Sequence, residues 1–93
     1  MTELIVALDV DTQAKARVLV KRLRGVVSYY KIGMRLFTGY GRRAIEAVQD
    51  LGGKVFLDIK LLDIPQTVAD TVRQARRLGV YSVSLHLTAV AFF

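Results

Sequence analysis

The chain has 93 residues, of which 53% are hydrophobic, enough for one small domain with its own core. It contains no cysteine and one histidine, which excludes disulfides, thiolate metal sites and a histidine cluster for zinc. The net charge of +6 suits an anionic ligand such as a phosphate, or nucleic acid.

The amino terminus is predicted to lack a secretory signal, since residues 1–3 have no basic start and the apolar run after them ends at Asp9. No apolar run in the chain reaches the roughly 18 residues of a membrane span. The basic residues are spread over predicted helices without interleaved aromatic residues, which favours solvated helix surfaces over a nucleic-acid surface. We therefore expect a cytoplasmic protein that binds neither membranes nor nucleic acid.

Short apolar runs alternate with helical patterns along the chain. The apolar runs predict strands at residues 3–9, 26–32, 54–58 and 80–86. Apolar residues at helical spacing fill most of the connections, while residues 33–40 are predicted as a loop that can include a short helical turn. The predicted helix boundaries are marked by capping residues, glycines and a proline, namely Asp11, Thr12, Gly25, Gly52, Gly53, Pro65 and Gly79.

The strand–helix pattern repeats about every 25 or 26 residues. Because each connection contains a helix, neighbouring strands are predicted to be parallel, with right-handed crossovers. Every predicted strand ends in an ionisable group, and these groups are Asp9, Lys31, Asp58 with Lys60, and His86. Ligands bind at the carboxyl ends of the strands in such sheets, so the pattern predicts a functional site at this edge.

The third strand ends in Asp58, Lys60 and Asp63, at the spacing D-x-K-x-x-D. Asp58 and Lys60 lie on the same side of an extended chain, and Asp63 lies on the turn beyond. One interpretation is a salt-bridge cluster in which the charges only satisfy each other. A second is a fixed field, shared with Lys31, that suits decarboxylation or enolate chemistry. A third is a divalent metal held by Asp9, Asp58 and Asp63, which is disfavoured because Lys60 lies between these ligands.

These motifs resemble those of the orotidine 5'-phosphate decarboxylase family over residues 3–86. The resemblance is carried by D-x-K-x-x-D-I-P-x-T at residues 58–67, by Leu8-Asp9 and by Lys31-Ile32-Gly33. Related barrels that act on sugar phosphates share D-x-K-x-x-D, but Asp63-Ile64-Pro65 favours the decarboxylase. The resemblance implies an α/β fold of the TIM (β/α)8 barrel type, with no cofactor and no metal. It also implies conversion of orotidine 5'-phosphate (OMP) to UMP and carbon dioxide, a step of pyrimidine biosynthesis.

The resemblance also implies roles for individual residues. The catalytic residues would be Lys31, Asp58, Lys60 and Asp63, and the substrate-binding residues would be Asp9, Lys31, Ile64 and Thr67. Asp9 and Lys31 would bind ribose hydroxyls of the nucleotide monophosphate. Asp58 would press against the substrate carboxylate, and Lys60 would protonate C6 after carbon dioxide leaves.

The resemblance further implies that the site forms at a dimer interface. Asp63, Ile64 and Thr67 would reach into the site of a partner subunit. His86 would have a structural role beside the site.

The chain departs from the family pattern in several places. Leu62 stands where histidine is frequent in the family, and Gln66 where asparagine is frequent. The family barrel is typically about 200 residues or more, whereas this chain holds three strand–helix units and a fourth strand. We therefore predict a single half-barrel of residues 1–93 with a parallel four-stranded sheet, in which residues 87–93 form an atypical apolar tail. The loop over the pyrimidine and the phosphate-binding arginine belong to later strands of the family barrel.

A half-barrel has two sheet edges that need cover. Two copies of the chain would pair edge to edge, or the tail would cover one edge, so we expect a homodimer or a higher oligomer. Whether these 93 residues act as an enzyme is left open by the sequence, and we expect the isolated chain to be inactive. The alternative to an enzyme half is a non-catalytic truncated or engineered half-barrel scaffold that self-associates.

Overall fold

Strands and helices alternate through the computed structural model, which describes residues 4–61, 64–85 and 90–93. The strands are β1 (Ile5–Ala7), β2 (Tyr29–Gly33), β3 (Lys54–Leu61), β4 (Ser82–Leu85) and β5 (Val90–Phe92). The helices are α1 (Gln13–Leu23), α2 (Met34–Tyr40), α3 (Arg42–Gln49) and α4 (Pro65–Arg77). The sheet order is β1-β2-β3-β4-β5, and the first four strands are mutually parallel. The predicted parallel four-stranded sheet is thus confirmed.

The helix boundaries follow the sequence signals closely. The Thr12 side chain caps α1 by accepting a hydrogen bond from the Lys15 backbone N–H at 3.1 Å. Pro65 occupies the first turn of α4, where a missing N–H is harmless. Residues 33–40, which were predicted as a loop, instead contain the helix α2. Burial of Leu36 explains this difference, because tertiary packing outweighs the weak helix propensity of a glycine-containing segment.

The hydrophobic core lies between the sheet and the helices. Alternate residues of the strands face it, as the two-residue period of a strand requires. The core side chains that are almost completely buried include Leu8, Tyr30, Ile32, Val55, Leu57 and Val83 from the sheet segments, and Val20, Leu36, Ile45, Val48 and Ala75 from the helices.

The opposite face of the sheet is not covered by the helices and carries both apolar and charged side chains. A cavity of about 260 Å³ on this face is lined by Ile5, Ala7, Lys31 and Phe56. Ile5 remains 51% exposed. Asp58 follows Phe56 by two residues on β3, so the charged strand ends belong to this open face.

The fifth strand is formed by part of the apolar tail and runs antiparallel to β4. Val83 pairs with Ala91, and the Phe93 backbone N–H donates to the Tyr81 carbonyl at 3.1 Å. Of the two outcomes expected for the edge of the fourth strand, the structure therefore shows cover by the tail. Within the described residues, β1 pairs only with β2.

Gly53 marks the closest approach between α3 and the start of β3. A Cβ atom at this position would lie 2.7 Å from Val48 Cγ1 and 2.9 Å from Tyr30 Cδ2. Both neighbours are almost completely buried and cannot move aside cheaply. Glycine is therefore required here for space.

We predict that Gly53→Ala lowers the free energy of unfolding by about 1–3 kcal/mol, as expected for overpacking of a dense core. Gly39→Ala is the matched control, because no atom lies within 4 Å of a Cβ built in α2 at that position. It should leave stability unchanged or raise it by about 0.5–1 kcal/mol. Urea unfolding measures both variants, and equal stabilities for the two would contradict the packing described for Gly53.

Candidate active site

Three charged side chains meet where β2 and β3 end. Lys31 lies on β2, and Asp58 and Lys60 lie on β3. The Lys60 ammonium nitrogen is 2.8 Å from Asp58 Oδ1 and 2.9 Å from Asp58 Oδ2. The Lys31 ammonium nitrogen is 3.7 Å from Asp58 Oδ2. The structure thus brings together three of the predicted site residues, with the carboxylate between two cations.

A bulge in β3 creates this arrangement. Leu57 pairs with Val83 and Leu61 pairs with Leu85, so residues 58–60 of β3 lie opposite the single residue Ser84 of β4. Extra residues of this kind bend a strand and redirect its side chains. Asp58 and Lys60 were predicted to meet because they are two apart on an extended chain. They do meet, but on a bulge rather than on a regular strand.

The backbone of Lys60 departs from strand geometry. Its φ angle of 50° lies in the left-handed region, where non-glycine residues are rare and where the conformation costs about 1–3 kcal/mol. The Lys60 backbone N–H donates a hydrogen bond of 2.9 Å to Ser84 Oγ. Ser84 Oγ in turn donates to Asp58 Oδ1 at 2.8 Å. One hydroxyl therefore contacts both charged residues of the bulge.

Ser84 is a site residue that the sequence analysis missed. Serine is common in strands and loops, and nothing in its spacing to Asp58 reveals that the two meet. The available signal was the alternation of Ser82, Val83 and Ser84, which places both serines on the face of β4 opposite the core residue Val83. Only the register between β3 and β4 selects Ser84 as the contact of the bulge.

Asp58 is held as an anion by its neighbours. The hydrogen bond from Lys60 is the main cause that lowers the pKa of its carboxyl, and burial opposes this by raising the pKa. The hydrogen bond from Ser84 and the charges of Lys60 and Lys31 lower it further. The Asp58 side chain is only 16% exposed, so these partners replace most of the water around it.

The two lysine side chains differ in their exposure to solvent. The Lys60 side chain is 69% exposed and the Lys31 side chain 36% exposed. An exposed ammonium group is screened by water and is free to move toward a ligand. The arrangement can therefore present a fixed negative charge beside an ammonium group that a ligand can reach.

The remaining predicted site residues lie on other segments of the chain. Asp9 follows β1 and lines a cavity of about 330 Å³ with Gly33 and Arg35, next to the end of β2. Ile64 and Thr67 lie at the exposed start of α4. The further predicted residues Asp63 and His86, together with Leu62, lie outside the described residues.

The metal interpretation of the sequence used Asp9, Asp58 and Asp63, of which Asp63 lies outside the described residues. Across residues 4–61, 64–85 and 90–93, no group of three or more acidic or histidine side chains is placed to hold a metal ion. Over the same residues, no helix is both long and apolar enough to cross a membrane.

Comparison with solved structures defines the class of fold. An uncharacterized conserved protein from Geobacillus kaustophilus matches with a TM-score of 0.82 and 33% identity, over 88% of this chain and 38% of that chain. Orotidine 5'-phosphate decarboxylase from Lactobacillus acidophilus matches with a TM-score of 0.73 and 33% identity, over 92% of this chain and 39% of that chain. Together with the parallel strand–helix repeats, these matches define a partial TIM barrel with its charged strand ends at one edge.

Sequence comparison defines the family. The model described as "Orotidine 5'-phosphate decarboxylase / HUMPS family" matches residues 2–91, and the chain belongs to this family. Orotidine 5'-phosphate decarboxylase from Syntrophotalea carbinolica is 48% identical over 84 residues, which are 90% of this chain and 34% of the relative. The one from Carboxydothermus hydrogenoformans is 48% identical over 83 residues, 89% of this chain and 35% of the relative. The chain thus spans about a third of the length of these curated relatives.

We predict that Lys60→Ala raises the pKa of Asp58 more than Lys31→Ala does, because Lys60 makes the shorter contact and the hydrogen bond. The folded pKa lies below the ordinary value of 3.8, so Asp58 stabilises the fold above that pH. This contribution is lost as the pH falls through the lowered folded value. Carbon-13 NMR titration of the Asp58 carboxyl measures the shift in each variant.

Lys15→Ala is the matched control for this titration. Lys15 makes a similarly short ion pair of 2.9 Å, but with the exposed Asp11 in the connection between β1 and α1. Removing its ammonium should leave Asp58 unchanged. Equal pKa values of Asp58 in the Lys60 and Lys15 variants would contradict the assigned role of Lys60.

Proposed function

We propose that this chain supplies the amino-terminal catalytic strands of an orotidine 5'-phosphate decarboxylase, which converts OMP to UMP and carbon dioxide. The observation that carries the proposal is the Asp58 carboxylate between the ammonium groups of Lys31 and Lys60. Membership of the decarboxylase family gives this cluster a chemical context. Curated relatives with 42–48% identity over the matched segment are named as orotidine 5'-phosphate decarboxylases.

Asp58 acts on the substrate before the bond breaks. Its lowered pKa keeps it negative, so it repels the carboxylate of bound OMP. This repulsion is relieved as carbon dioxide leaves, because the negative charge then moves to ring carbon C6. An interaction that is less unfavourable in the transition state than in the ground state lowers the barrier.

Lys60 acts on the charge that develops. The bond between C6 and the carboxylate carbon breaks, carbon dioxide departs and the electron pair remains on C6. The Lys60 ammonium stabilises this pair and transfers one proton to C6, and Lys60 then recovers a proton from water. Its contact with Asp58 at 2.8 Å holds the ammonium beside the carboxylate against which the substrate is proposed to bind. The chemistry requires no cofactor and no metal.

The remaining residues are proposed to bind the nucleotide. Asp9 and Lys31 bind ribose hydroxyls. Asp63, Ile64 and Thr67 contribute to the site of a second subunit, and the exposed start of α4 leaves Ile64 and Thr67 accessible for this. Lys31 has a double role, because it also holds Asp58 ionised.

We expect the 93 residues tested alone to show no decarboxylation of OMP. Binding energy from parts of a substrate far from the reaction assists catalysis at the reacting end. The resemblance to the family implies that later strands of the barrel bind the phosphate of OMP. This chain spans only about a third of the length of its relatives. The activity test must therefore supply the rest of the barrel.

We predict that a chimera is active in which residues 2–85 replace the matching segment of the Syntrophotalea carbinolica relative, with which the chain is 48% identical over 84 residues. The loss of ultraviolet absorbance by OMP measures turnover. Lys60→Ala should lower kcat by at least about 10³-fold, because it removes the proton donor and a charge that stabilises the transition state.

Lys15→Ala in the same chimera is the control, because Lys15 carries the same charge but pairs with the exposed Asp11 and not with Asp58. It should retain full turnover. A folded chimera without activity, or one in which Lys60→Ala and Lys15→Ala behave alike, would contradict the proposed function.

The second candidate is a non-catalytic scaffold that self-associates, and β5 is the observation that favours it. A TIM barrel has a parallel strand beside its fourth strand. Here the antiparallel β5 pairs with β4 along Ser82, Val83 and Ser84. A chain with this edge covered has β1 as its open edge among the described residues, and edge pairing there would join two copies.

We predict that the isolated chain forms a homodimer or a higher oligomer and that Ile5→Lys shifts it toward the monomer. Ile5 lies on β1 and is 51% exposed, and a lysine on an edge strand opposes edge pairing. Val18→Lys is the matched control, since Val18 is also 51% exposed but lies on α1. Light scattering measures the mass, and a folded, stable monomer of the unaltered chain would refute self-association.

A further inference from the structure

Ser84 uses its hydroxyl group in two directions at once. It accepts a hydrogen bond of 2.9 Å from the Lys60 backbone N–H and donates one of 2.8 Å to Asp58 Oδ1. A serine hydroxyl has one proton to donate. Because the backbone N–H occupies an acceptor position of the oxygen, the proton is left to point at the carboxylate. Ser84 itself is only 7% exposed, so its position is fixed by packing.

The bulge creates the need for such a group. Residues 58–60 lie opposite one residue of β4, so the regular ladder cannot satisfy each backbone group. A polar backbone group that loses its partner destabilises the fold unless another acceptor replaces it. The Ser84 hydroxyl provides that acceptor at Lys60, the residue with the left-handed φ angle of 50°.

We propose that Ser84 is a positioning residue for the lysine and carboxylate of the site. Its hydroxyl joins the left-handed backbone at Lys60 to the Asp58 carboxylate, and so it sets the direction in which both side chains leave the bulge. It contacts neither carbon dioxide nor the proton that Lys60 transfers. Its effect on turnover rests on the proposed decarboxylase function, whereas its effect on the bulge can be measured without any substrate.

Ser82 offers a matched control on the same strand. It precedes Ser84 by two residues and therefore lies on the same face of β4. It is completely buried, and its Oγ has no hydrogen-bond partner among the described residues. Removing the Ser82 hydroxyl deletes the same atom from a buried position on the same strand without touching the bulge.

The first experiment uses the isolated chain with Ser84→Ala, Ser84→Thr and Ser82→Ala. Carbon-13 NMR titration measures the carboxyl of Asp58, and amide hydrogen exchange measures the backbone N–H of Lys60. In Ser84→Ala the titration should move to higher pH, and exchange at Lys60 should accelerate about fivefold or more, as loss of one hydrogen bond implies.

Ser84→Thr keeps the hydroxyl and should restore both readouts, and Ser82→Ala should match the unaltered chain. If the added methyl group of threonine destabilises the strand, the comparison of Ser84→Ala with Ser82→Ala is sufficient to test the role of Ser84. Unchanged titration and exchange in Ser84→Ala, or equal changes in Ser82→Ala, would overturn the proposal.

The second experiment measures the same variants in the active chimera. Ser84→Ala should lower kcat about tenfold or more with little change in KM, because a misplaced reacting group slows the chemical step. Ser82→Ala should leave both constants unchanged. An equal loss of kcat in the two alanine variants would refute the positioning role. An inactive chimera would instead count against the decarboxylase proposal, and the NMR experiment would then decide the role of Ser84.

Discussion

A negative charge with little access to water dominates this structure. The Asp58 carboxylate lies at the bulge of β3 with 16% of its side chain exposed, and it must find partners within the protein. Lys60 contacts both of its oxygens, Lys31 approaches from the neighbouring strand, and Ser84 donates the remaining hydrogen bond. Each ammonium is at least partly exposed and would contribute modestly alone. Their combined placement around one carboxylate is what keeps it ionised.

The parallel sheet explains why these groups meet. Parallel strands all end at the same edge, so Lys31 on β2 and Asp58 on β3 become neighbours although 26 residues lie between them. Apolar residues at alternate positions face the helices and form the core, which leaves the other face free for charged groups. Stability and chemistry thus use different faces of the same strands. The bulge at residues 58–60 adds a local irregularity at the position of Asp58 and Lys60.

Much of this arrangement was accessible from the sequence. The repeat of strands and helices predicted the parallel order, and the charged strand ends predicted that Lys31, Asp58 and Lys60 meet. Ser84 was not accessible, because its contact depends on the register between two strands and a serine has no distinctive spacing. The bulge could not be predicted either, because it also depends on the register between β3 and β4. The helix α2 was missed because glycines suggested a loop, while its buried Leu36 supplied the compensating packing. The strand β5 was not predicted because the sequence before it contains no turn signal.

The most direct test of this account is a double-mutant cycle on Asp58 and Lys60, measured by urea unfolding of the isolated chain. Asp58→Asn and Lys60→Met remove the two charges with little change in side-chain length. The account predicts a favourable coupling of at least about 0.5 kcal/mol at neutral pH that disappears in acid, where Asp58 is protonated. A coupling of zero at neutral pH would contradict the claim that these strands carry a preorganised, mutually stabilising pair of charges.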